Sequence, residues 1–212
     1  MVSYELGNKS SWLENRLQFN AAYFYYDYED LQVNNIEGAL VVIRNAGEAT
    51  GQGIEFDMTW LMTESLQLLV SGNYLNAEFD EFSPAIDNIP TDLSGETMPL
   101  APEFQLSTSL LYNQVLSSGG EIDYRVSYSW TDEYYFEVGN TEEEAQDSFG
   151  LVDARIAWTS ADTQWQVAVF GQNLTDEEYL NYAGGLAKYD LDAPITVSAI
   201  DRTFGASLEY SF

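Results

Sequence analysis

The sequence predicts an all-β chain: one antiparallel sheet of about nine long strands, oily on one face and polar on the other, suited to crossing a bilayer. Three observations carry this. Apolar and polar residues alternate with period two in segment after segment, the pattern of a strand with two unlike faces. Most of these segments are long, where strands of soluble domains average about five or six residues. Ten residues at about 3.3 Å each, tilted by about 40°, cross an apolar layer roughly 25 Å tall. Aromatic residues reach 15%, with 15 tyrosines and 5 tryptophans, far more than a soluble acidic domain needs.

Each strand can be read in order. Segment 3–9 alternates weakly, and 16–28 follows with some blurring. In 54–60, Ile54, Phe56, Met58 and Trp60 oppose Glu55, Asp57 and Thr59. Segment 66–79 is again blurred. In 104–113, Phe104, Leu106, Leu110 and Tyr112 oppose Gln105, Ser107, Ser109 and Asn113. In 121–130, Ile122, Tyr124, Val126, Tyr128 and Trp130 oppose Glu121, Asp123, Arg125, Ser127 and Ser129. In 151–158, Val152, Ala154, Ile156 and Trp158 oppose Leu151, Asp153, Arg155 and Ala157. Segment 164–172 leads to the clearest case: Phe204, Ala206, Leu208, Tyr210 and Phe212 against Thr203, Gly205, Ser207, Glu209 and Ser211.

The connections alternate short and long. Short ones lie near 10–15, 61–65, 114–120 and 160–163; long ones cover roughly 30–50, 80–102, 134–148 and 174–201. Barrels of the outer membrane have this asymmetry, with tight periplasmic turns and extended external loops. Trp12, Trp60, Trp158 and Trp165 sit in or beside the short turns. An indole favours the headgroup layer, where its ring is apolar and its N–H stays wet, so these four are expected to form one interfacial girdle.

Composition excludes several chemistries. Lysine plus arginine number 7 and aspartate plus glutamate 35, a formal charge of −28, so no nucleic-acid partner is expected. Cysteine and histidine are absent, which removes disulfides, thiolate or imidazole metal sites and the usual nucleophile–imidazole pairs. No enzymatic activity, catalytic residue, metal site or cofactor is expected.

In lipid every backbone polar group needs a partner within the protein, so a spanning sheet must close on itself. Nine is an awkward number, because bacterial single-chain barrels are even-stranded. The chain ends toward the short-turn side but begins from the long-loop side, and no signal peptide is visible at Met1-Val2-Ser3-Tyr4-Glu5. The expectation is that residues 1–212 form the C-terminal part of a larger barrel. Two alternatives remain. A self-contained small barrel, porin or adhesin-like, would pair residues 2–9 with 202–212. A soluble carbohydrate-binding β-sandwich would pack two sheets face to face.

A family resemblance runs along the chain in order. Tyr4-Glu5-Leu6-Gly7-Asn8-Lys9-Ser10, then Arg16-Leu17-Gln18-Phe19-Asn20, then Phe24 to Val33 open it. Asn45-Ala46-Gly47 with Gly51-Gln52-Gly53-Ile54-Glu55-Phe56 follows, then Pro99-Leu100-Ala101-Pro102. Phe170-Gly171-Gln172-Asn173-Leu174-Thr175-Asp176-Glu177-Glu178-Tyr179 and Arg202-Thr203-Phe204-Gly205 with terminal Phe212 complete the series. Together they resemble the C-terminal barrel of TonB-dependent outer-membrane receptors, which import iron-siderophores, vitamin B12 and some glycans. The resemblance implies a barrel of about 22 strands, a Gram-negative outer-membrane location, and no covalent chemistry. It implies uptake of a scarce nutrient, energised through TonB acting on a plug domain. The signal peptide, TonB box and plug are not found in this sequence, so plug and TonB are partners only of a full-length parent. The small-molecule ligand is not readable. The resemblance also gives Phe212, with Leu208 and Tyr210 on its parity, the role of a signal to the barrel-assembly machinery.

The remaining candidates are weaker. Tyr134, Tyr135 and Phe136 start a long loop, where they could touch a ligand or belong to an outer girdle. Tyr23, Phe24, Tyr25, Tyr26 and Tyr28 are read as girdle. Asp123, Arg125, Asp153 and Arg155 fall on the polar parity, so they are expected to face the lumen and pair across strands. Glu55 and Asp57 lie about 7 Å apart along one strand face, as any such pair would. The run Thr141-Glu142-Glu143-Glu144-Ala145-Gln146-Asp147 is read as a solvated loop.

Overall fold

In a computed structural model, which describes residues 1–37, 40–45, 47–86, 89–185 and 194–212, the chain forms one nine-stranded antiparallel sheet. Its strands are β1 Val2–Trp12, β2 Leu17–Glu29, β3 Glu48–Leu61, β4 Leu66–Glu81, β5 Phe104–Val115, β6 Glu121–Thr131, β7 Phe149–Thr159, β8 Trp165–Gln172 and β9 Thr203–Tyr210. Each strand pairs with the next in sequence, so the sheet is a meander. Among the described residues β1 and β9 do not pair with each other, and each keeps one open edge. Neither the small closed barrel nor two stacked sheets is formed.

The register shows why the alternation matters. Val126 of β6 faces Leu110 of β5 and Ala154 of β7, and Ile156 of β7 faces Tyr124 of β6 and Val169 of β8. Apolar parity therefore meets apolar parity across the sheet, and a slip of one residue would turn a whole strand inside out. This outer face is bare. Leu6, Ile54, Val126, Ile156, Val169, Phe204 and Leu208 are all exposed, Phe204 at 72% and Leu208 at 68%. Exposed apolar area of that extent marks a surface meant for a partner or a membrane.

Two strands run further than alternation alone suggests. β1 spans Val2–Trp12 because its full length pairs with β2, although Asn8 and Ser10 interrupt its oily parity. β3 begins at Glu48, six residues before the clear pattern, because Gly51, Gln52 and Gly53 carry no apolar signal yet still pair with Tyr26, Tyr25 and Phe24.

The short turns join β1–β2, β3–β4, β5–β6 and β7–β8. The first holds Leu13, Glu14 and Asn15 at φ 53°, 57° and 68°, a left-handed run that β-carbons resist. Arg16 steadies it. Its guanidinium donates to the carbonyls of Leu61 at 2.9 and 3.1 Å and of Met62 at 2.6 Å, tying this turn to the next. At the opposite end the long connections carry short ribbons, Gln32–Glu37 with Leu40–Asn45, Tyr134–Tyr135 with Ala145–Gln146, and Leu180–Gly185 with Pro194–Ser198. Ala46 of the Asn-Ala-Gly motif lies outside the described residues.

Candidate functional site

The polar parity of the nine strands forms the concave side. Two adjoining hollows lie against it, of about 920 and 430 Å³, sharing Ser107 and Ser129. The larger is lined by Lys9, Asn20, Phe24, Asp57, Asn73 and Gln105, among others. Polar side chains on this face bond across neighbouring strands, within the hollow at Asn20 and Asp57 and outside it at Asn113. Asn20 donates to both Asp57 carboxylate oxygens at 3.0 and 3.3 Å, and Asn113 donates to Asp123 at 2.8 Å and Glu121 at 3.2 Å. Glu55 and Asp57 face this hollow as exposed side chains.

Asp123, Arg125, Asp153 and Arg155 all stand on this face, but the opposite charges do not meet. Arg125 is directly opposite Arg155, Asp123 opposite Ala157, and Asp153 opposite Ser127. The two strands carry the same Asp-x-Arg order in antiparallel directions, and the register of the sheet aligns like with like. Asp153 instead accepts from the backbone N–H of Asn173 at 2.9 Å. Asn173 is buried, holds φ 49°, and bonds with both main-chain groups of Glu177 at 2.8 Å. This turn builder was visible only as part of the Asn-Leu-Thr-Asp motif. Beyond it, Asp176 pairs with Arg202 at 3.1 Å, just before β9.

The long-loop end is a second structured surface. Ala49, Phe79, Phe82 and Leu93 form a small buried core, with Tyr28, Leu31, Met98 and Val138 packed around it. Ala49, Phe79 and Tyr28 are on the inner parity, so the loop 82–103 folds inward over the sheet rim. Asn140 donates to Glu96 at 2.7 Å and joins this loop to the next. The loops after β6 and β8 interlock through rings: Tyr134 on Phe136 at 5.1 Å, Phe136 on Tyr182 at 5.9 Å, and Phe149 stacked on Tyr179 at 4.5 Å. Tyr182 donates to Glu137 at 2.8 Å, and Gln146 accepts from the Leu180 N–H at 2.6 Å. The Glu137 carboxylate, with burial and Glu144 adding to it, pushes the Tyr182 phenol up to about 12. Burial, then the neighbouring Tyr179, raises Tyr134. Glu142–Glu144 form one 3-10 turn.

Aromatic candidates divide by parity. Tyr23 and Tyr25 pair with Ile54 and Gln52 on the outer face, whereas Phe24, Tyr26 and Tyr28 point inward. A run of consecutive aromatics cannot all belong to a girdle, because a strand sends neighbours to opposite faces. Phe136 is buried within the ring cluster, while Tyr134 and Tyr135 are half-exposed. Trp12, Trp60, Trp158 and Trp165 share the outer face at the short-turn end, all but Trp60 well exposed. Tyr210 packs on Trp165 at 4.6 Å, and Phe212 lies edge-on to Tyr210 at 5.0 Å.

The family model described as TonB dependent receptor-like, beta-barrel matches residues 1–174. The pesticin receptor of Yersinia pestis is 24% identical over 182 residues, covering 85% of this chain and 25% of that protein. The chain thus spans about a quarter of the curated relatives it matches. Among solved structures, the ferric yersiniabactin uptake receptor FyuA from Yersinia pestis superposes with a TM-score of 0.80 at 20% identity, over 99% of this chain and 29% of that one. The siderophore receptor PiuA from Acinetobacter baumannii gives 0.76 at 21% identity, over 98% and 28%.

Proposed function

Because this chain belongs to the TonB-dependent receptor-like β-barrel family, we propose that it forms part of the wall of an outer-membrane receptor for a scarce nutrient, an iron-siderophore first among the classes considered. Its relatives are receptors rather than enzymes, and no covalent step is assigned to it. The observation that carries the reading is the division of the sheet: an uncovered apolar outside, a hydrogen-bonded polar inside, and structured loops at one rim. The outside would meet lipid, the four tryptophans would sit at the headgroup layer near the short turns, and the loops would meet the ligand. Energy would come through TonB acting on a plug held in the lumen, and Phe212 would guide assembly.

The test is uptake. Cells carrying the gene should take up at least one labelled ferric siderophore; deleting the gene or collapsing the proton gradient should abolish that uptake. Flux of small sugars that persists without the gradient, with no siderophore uptake, would instead mark a passive pore.

A further inference from the structure

We propose that Arg125 and Arg155 together form a binding site for a carboxylate on the concave face, one that the sheet itself leaves unfilled. Five of the chain's seven cations have described side chains. Arg16 is engaged by turn carbonyls and Arg202 by Asp176. Lys9 lies on the β1 edge, lining the larger hollow. That leaves two arginines directly opposite each other in the middle of β6 and β7, both exposed to the smaller hollow. Like charges placed so are destabilising.

The neighbouring carboxylates do not relieve them. Asp153, on the diagonal, is held by Asn173, and Asp123 by Asn113. Arg125 reaches only hydroxyls, Ser127 at 3.2 Å and Ser109 at 3.3 Å, which also bond to each other at 2.8 Å. No hydrogen bond or ion pair of the Arg155 side chain is found among the described residues. Directly opposed residues have α-carbons about 4.5–5.5 Å apart, so two planar guanidinium forks can converge on one carboxylate. Each then offers paired N–H donors in the geometry that a carboxylate accepts. Ser107, Ser129 and Gln172 line the same hollow and can complete the polar shell. The carboxylate could be borne by a small solute or by a polypeptide segment packed against this face, and the chemistry is the same.

The test uses the protein extracted from membranes in detergent, at constant ionic strength, with citrate replacing chloride. If the source is a solute, citrate raises the thermal midpoint of the wild type, and Arg155→Gln needs about tenfold more citrate for the same rise. If the source is a polypeptide already in place, Arg155→Gln and Arg125→Gln each lower the midpoint without citrate, Arg155→Lys lowers it less, and citrate moves none of them. Variants that match the wild type in both midpoint and citrate response overturn the proposal. So does a raised midpoint in Arg155→Gln with a wild type indifferent to citrate, which would mean simple repulsion.

Discussion

Phe170 and Gly205 are direct partners across β8 and β9, and the Phe170 ring occupies the space that a side chain at 205 would fill. One residue along, the relation is mirrored on the other face: Phe204 lies over Gly171, its ring carbons 3.0 and 3.1 Å from where a β-carbon would stand. Phe24 with Gly53 and Phe56 with Gly72 repeat the device. A ring laid across a strand glycine covers backbone that would otherwise be bare and pins the register.

Gly205→Val should therefore force the Phe170 ring out of place and destabilise the protein by about 1–3 kcal/mol, the usual cost of overpacking. Gly7→Ala is the control, since a β-carbon there meets Ala21 and Ala22 at an ordinary 3.7 Å. The measurement is the temperature at which each variant loses its fast-migrating folded form on unheated gels. Equal midpoints for the two variants would contradict the packing argument.

Tyr182 should titrate late. The Glu137 carboxylate accepts its proton-bearing hydroxyl, so ionisation would lose a bond and set two negative charges together. Its folded value, about 12, lies above the ordinary tyrosine value near 10. The stabilisation is thus whole below pH 10 and is lost as the pH rises through 12. Ultraviolet titration should show one late phenol that disappears in Tyr182→Phe and moves down in Glu137→Gln. An unchanged curve in Glu137→Gln would show that the two loops do not dock this way.

Arg16→Ala removes the clip between the first two short turns. A loss of about 1 kcal/mol is expected for these exposed, charge-assisted bonds, with faster amide exchange at Leu61, whose N–H donates to the Arg16 carbonyl at 2.7 Å. Exchange at Leu61 matching the wild type would assign Arg16 to the surface alone.

Deleting Phe212 should lower the amount of folded protein reaching the outer membrane without changing its synthesis, read as heat-modifiable protein in membrane fractions. Unchanged levels would remove Phe212 from the assembly signal.

How far the sequence spoke follows from the physics of a strand. Segments such as 121–130 and 203–212 declared themselves because an apolar residue stands on the outer face at nearly every second position. β1 and the start of β3 were muted, since Asn8, Ser10, Gly51 and Gly53 interrupt that code and pairing with β2 carries it instead. Arg125 and Arg155 could be placed on the inner face by parity. That they oppose each other could not be read, because register depends on turn geometry rather than on either strand. The ring cluster of Phe136, Tyr182 and Tyr134 was hidden for a similar reason: its members are brought together by two loops about 45 residues apart.

The chain has no cysteine, so one nitroxide can be attached at Val126→Cys, mid-strand on the outer face, in protein reconstituted into lipid vesicles. Collision rates with molecular oxygen, which gathers in hydrocarbon, and with a water-soluble nickel chelate then report what Val126 touches. Strong oxygen and weak nickel collisions are predicted. A label reached freely by nickel, or immobilised and reached by neither reagent, would mean that this face meets water or another protein layer, and the wall described above would not be one.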